Sequence, residues 1–183
     1  MHFRHLTVAL IFGCLLSTAV PVHGQTDRRD PSKLTEREKV EERKSSEARL
    51  AKGEINFDDL KFELEKDAAF DEKKITSTIK KLNGKKVRLS GYILPASVFS
   101  NQNIKQFVLV RDNKECCFGP GAALFDCVMV EMTKGKAAEF ATRPVLVEGE
   151  FEVDFKKYAY PGGKGPRGAS HYAIFRINGV NVK

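Results

Sequence analysis

An α+β chain, mainly β, is what the sequence predicts: a small five-stranded antiparallel barrel of the oligonucleotide/oligosaccharide-binding (OB-like) type with an N-terminal helix. Three observations predict it. After Gly84 the hydrophobic period changes from that of a helix to two, in five short runs. Two of these runs carry a glycine at mid-strand, Gly91 and Gly149, where a sheet must bulge or bend to curl on itself. The folding region, about 130 residues, suffices for one core and is too short for two. A β-sandwich or another small barrel is the alternative that periodicity leaves open.

The elements follow in order. Residues 1–24 read as a cleavable secretory signal: Arg4 opens it, Leu6 to Ala19 is apolar, and Val22-His23-Gly24 offers small side chains for a cut before Gln25. Acylation of Cys14 is the weaker alternative, because Phe12 is bulky and the apolar run continues past Cys14. No later run is long enough to cross a bilayer. The expected location is therefore periplasmic or secreted.

Losing Arg4 with the leader leaves 30 cationic against 24 acidic residues, and His171 as the last histidine. A histidine-rich zinc site is thereby excluded. Export makes nucleic acid a poor partner for the remaining basicity.

Residues 25–52 alternate charges, among them Arg28, Asp30, Glu36, Arg37 and Lys44, with few apolar residues to bury. They read as a disordered or helical spacer. The barrel domain is expected over 53–183. Within it, Ile75, Ile79 and Leu82 at i, i+4, i+7 predict a helix over 71–82, started by Asp71 and stopped at Asn83-Gly84. Strands are expected at 85–95, 106–111, 127–132, 144–153 and 172–177.

The chemistry-bearing residues gather at one hairpin. Cys116 and Cys117 end one strand, Cys127 begins the next, and Phe118-Gly119-Pro120-Gly121 turns between them. In an oxidising compartment the plain outcome is a disulfide from Cys127 to Cys116 or Cys117. Buried structural thiols are the next reading. Three thiolates, or two with Met129 or Met132, also suit soft Zn(II) or Cu(I), with His171 or Asp126 as a fourth ligand. Thiol catalysis is opposed by Glu115 and Asp126, whose charges disfavour a thiolate. A second patch is the Gly-rich loop 160–168: Tyr160, Lys164, Arg167 and His171 form an expected rim for an envelope protein or an anionic glycan.

The motifs Asn83-Gly-Lys-x-Val-x-Leu-x-Gly-Tyr-x-x-Pro95, Phe107-x-Leu-Val110 and the cysteine turn 116–127 resemble a family of exported bacterial domains of unknown function. The resemblance spans about residues 55–182. It implies a secreted single-domain protein and fits a small barrel. Many similar members carry Cys-x-His in the turn, where this chain has Cys116-Cys117-Phe118-Gly119. The functional expectation is a non-catalytic binding or assembly protein of the cell envelope, with soft-metal or thiol-redox handling by the cysteine hairpin as the alternative.

Overall fold

The computed structural model describes residues 43–64, 70–112, 123–165 and 169–183, all within the unit Glu41–Lys183. The elements are α1 (Glu47–Ala51), β1 (Glu54–Ile55), α2 (Ser77–Leu82), β2 (Lys86–Ile93), β3 (Gln106–Val110), β4 (Cys127–Met132), β5 (Val145–Val153) and β6 (Phe175–Val182). The signal, most of the spacer, and Cys14, Cys116, Cys117 and Arg167 lie outside the described residues.

Strands β2 to β6 close into a five-stranded barrel. Its pairings run β2–β3, β3–β4, β4–β6, β6–β5 and back from β5 to β2. Four of the five are antiparallel, and β4–β6 is parallel. The expected five-stranded, mainly antiparallel barrel is thus present, with one parallel pair. A closed ring of five strands cannot alternate direction all the way round, so one pairing must be parallel, and it falls between β4 and β6. The short β1 adds a parallel edge to β2.

Strand β2 serves two neighbours in succession. Lys86–Gly91 pair with β5, then Tyr92 and Ile93 pair with β3. The switch occurs at Gly91, where a β-carbon would meet the Val110 carbonyl oxygen at 2.6 Å and Leu109 Cγ at 2.9 Å. A register shift in β5 falls between Glu148 and Gly149. Both glycines are therefore bends.

Alternation sorts the side chains. Val87, Leu89 and Ile93 face inward from β2, and Val145, Val147 and Phe151 from β5. Leu60, Ile79 and Leu82 belong to the same core. The helix expected over 71–82 is divided: Asp71 caps a 3-10 turn at Glu72–Lys74 by accepting from Lys73 N–H. Ile75 is extended, and Thr76 then caps α2 through Oγ1, which accepts from Ile79 N–H at 3.3 Å. Two capping side chains in six residues start two short helices. The last strand begins at Phe175, later than the expected Tyr172, and runs on to Val182.

Candidate functional site

The outer face of β3 and β4 carries a concavity. Inward positions Val128 and Val130 are completely buried in the core, so Cys127, Met129 and Glu131 point outward from β4. Met129 is nevertheless buried, in a second small cluster with Tyr158, Ala173 and the outward-facing Val108. The crossover between β5 and β6 lies over this outer face and supplies the cover.

Next to that cluster is a groove of about 510 Å³, bounded by the β2–β3 connection and by Tyr172 of the crossover. Its walls include Val98, Phe99 and Ile104 from the connection, Val108 from β3, and Met129 from β4. Phe99 is fully exposed, at 109%, an unusual state for a phenylalanine. The connection is built locally. Pro95–Ser97 form a 3-10 turn in which Ser97 Oγ donates to the Leu94 carbonyl at 2.6 Å and accepts from Val108 N–H at 3.0 Å. Ile104 pairs with Ala138 at the far end. Lys105, the one charged residue among the described lining residues, donates through Nζ to the Lys136 carbonyl at 2.9 Å.

A tyrosine ladder supports the wall. Tyr172 packs edge-to-face on Tyr158 at 5.2 Å and on Tyr160 at 5.6 Å. Tyr158 is buried and donates its hydroxyl to Glu131, which also pairs with Lys157 at 2.6 Å and Arg176 at 3.5 Å. Burial, and then the bond to Glu131, push the Tyr158 phenol above its ordinary value. Burial alone would raise Glu131, but donors from Lys157 and Tyr158 outweigh it and hold the carboxyl below its usual range. The wall is thus anchored by a fixed carboxylate.

At the other end of β4 an ionic node joins Arg111, Asp58 and Asp126. Arg111 donates through Nη1 to Asp58 and through Nε to Asp126, both at 2.6 Å. Burial tends to raise both carboxyls, yet they shift in opposite directions. Asp58 also accepts from Arg43 N–H and pairs with Lys61, and falls below its ordinary value. Asp126 relies chiefly on Arg111 and stays raised.

The residues singled out in the sequence are only partly brought together. Cys127 is buried, its sulfur 3.7 Å from the Tyr172 carbonyl oxygen, so it lies beneath the residue that walls the groove. Its proposed partners Cys116 and Cys117 lie outside the described residues. Among the described residues no group of three His, Cys, Asp or Glu could hold a metal ion. The two expected fourth ligands are engaged elsewhere, Asp126 with Arg111 and His171 between Ser170 Oγ and the Phe155 carbonyl at 2.9 and 2.8 Å. That carbonyl can only accept, so Nε2 carries the proton. Phe70 packs on the same ring at 5.3 Å.

Of the expected rim, Tyr160 reaches the groove through Tyr172, Lys164 is exposed and is not among the lining residues, and Arg167 is outside the described residues. Phe99 was missed by sequence reasoning. The available signal was an aromatic residue stranded in the polar stretch Ser100-Asn101-Gln102-Asn103. A second hollow of about 530 Å³ borders Glu72, Glu150, Glu152 and Asp154. Glu152 is taken by Arg176 and Asn178, and Asp154 by the N–H groups of Lys156 and Lys157. No helix among the described residues is long and apolar enough to cross a membrane.

A family model described as "Protein of unknown function (DUF3299)" matches residues 25–174. The crystal structure of a DUF3299 family protein from Pseudomonas aeruginosa PAO1 is similar at 19% identity with a TM-score of 0.42, over 71% of this chain and 93% of that one. No curated protein matches.

Proposed function

Because the chain belongs to the DUF3299 family of unknown function, we propose its role from its own geometry: an exported, non-catalytic binding module whose outer-face groove receives an apolar segment of a cell-envelope protein. In this reading residues 1–24 are the removed signal, 25–52 the spacer and 53–183 the binding domain. The observation that carries it is the fully exposed Phe99 at the lip of a groove floored by Met129 and walled by Tyr172. Barrels of this type bind on the face of the second and third strands, between the first and last loops. Here those are β3, β4, the β2–β3 connection and the β5–β6 crossover. Burying Phe99 under a ligand would contribute about 2 kcal/mol. An anionic glycan suits the groove less well, since Lys105, the one cation among the described lining residues, already donates to a carbonyl.

Titrating the isotope-labelled chain with short apolar peptides and, separately, with anionic oligosaccharides tests this by NMR. Shifts confined to Phe99, Met129 and Tyr172 are expected with peptides. A response only to oligosaccharides would transfer the site to glycans, and silence with both would remove the groove from consideration.

The soft-metal or thiol-redox alternative draws on Cys127 and Met129 sharing one outward stripe of β4. It requires Cys116 or Cys117 to join them. Metal retained under reducing conditions by the wild type, and lost on replacing all three cysteines with serine, would favour it.

A further inference from the structure

Resting on that groove, the hydrogen-bond parity of β3 identifies the form its ligand takes. Strand β3 pairs with β4 through residues of one parity: Lys105 accepts from Met132 N–H at 2.8 Å, and Arg111 N–H donates to the Asp126 carbonyl at 3.2 Å. Residues of the other parity turn their backbone groups toward β2. Val108 shows this directly. Its carbonyl accepts from Leu94 N–H at 2.9 Å, and its N–H donates to Ser97 Oγ at 3.0 Å. Gln106, two residues earlier, points its N–H and C=O the same way.

No described residue meets Gln106 there. Strand β2 ends at Ile93, opposite Leu109, and the chain then leaves through the Pro95–Ser97 turn. Among the described residues neither backbone group of Gln106 has a protein partner. Gln106 is exposed and lines the groove beside Phe107 and Val108. Its side chain lies over the floor, donating from Nε2 to Met129 Sδ at 3.4 Å.

We propose that the groove binds its partner as an extended polypeptide that continues the place vacated by β2, pairing its backbone with the open N–H and C=O of Gln106. A donor and an acceptor at the spacing of one strand residue match an amide backbone. Side chains of the bound segment alternate, so those on one face drop toward Met129, Tyr172 and Phe99. The weakly charged lining fits apolar residues at those positions. An edge left open in this way is normally covered or blunted.

The probe is a blocked heptapeptide of alternating Phe and Thr, with a twin series N-methylated at each backbone amide in turn. Affinities are measured for the full chain and its Gln106→Ala and Gln106→Pro variants. Gln106→Ala alters the lining but keeps both backbone groups, so it should still discriminate against the same methylated peptide as the wild type does. Gln106→Pro should lose about tenfold, as should one methylated peptide against the unaltered protein. Proline is tolerated where a strand N–H is outside the ladder, and the methylated series decides the matter if that variant misfolds. Equal affinity of every methylated peptide overturns strand addition while leaving a side-chain groove intact. Failure of all peptides to bind overturns the groove itself.

Discussion

Gly149 and Asn178 approach so closely that a β-carbon on Gly149 would lie 2.3 Å from the Asn178 carbonyl oxygen. The obstacle is backbone, which cannot rotate aside. Ile177 Cγ2 stands at 2.7 Å on the same side. The approach occurs at the β5 register shift, where the barrel turns its corner.

Gly149→Ala should therefore destabilise by about 3 kcal/mol, as overpacking of a rigid site does. Chemical denaturation of the purified variant checks it. A loss no greater than that of an exposed substitution would show that the bend is not demanded by this contact.

Asp59 holds the segment before α1 to the barrel. Its Oδ1 accepts from Ser45 N–H at 2.7 Å and its Oδ2 from Asn56 N–H at 2.8 Å, while Asn56 Oδ1 accepts from Asp59 N–H. Asp59→Ala should cost about 1 kcal/mol for the lost cap. Amide exchange should rise sharply at Ser45 and in α1, and little in β4. Unchanged exchange at Ser45 would contradict the assignment.

Arg111→Ala removes the partner common to Asp58 and Asp126. The expected loss is about 2 kcal/mol, the worth of charged hydrogen bonds left unmade. Asp126, raised chiefly by burial, should rise further without its cation. A raised carboxyl favours the folded state while protonated, so Asp126 weakens the fold as pH climbs through its folded value. The variant should accordingly recover part of its stability in mild acid, and a flat difference across that range would contradict the role given to Asp126.

Tyr158 makes the alkaline prediction. Burial and Glu131 hold its phenol protonated above 10.0, the ordinary value. The folded chain keeps this proton where the unfolded chain loses it, so the contribution is complete below pH 10.0 and fades as pH rises through the raised value. Glu131→Gln removes the carboxylate and should bring phenolate formation to lower pH. An ultraviolet titration identical to wild type would count against the pairing.

Phe99→Ser should leave the melting temperature unchanged, because the ring is fully exposed. Peptide binding should weaken by about 2 kcal/mol as its burial is lost. Undiminished affinity would place the ligand elsewhere.

Sequence alone determined the five barrel strands, the two bending glycines and the inward faces, because each is local: alternation records burial, and a bend needs a residue without a β-carbon. It also drew attention to Tyr160 and Cys127, which meet the groove wall through Tyr172. That Phe99, Met129 and Tyr172 share one groove, and that the backbone of Gln106 meets no partner among the described residues, was decided in three dimensions. Those facts depend on register and on which strands become neighbours. Period two is the same for any even slip, so the pattern of apolar residues carries no record of either.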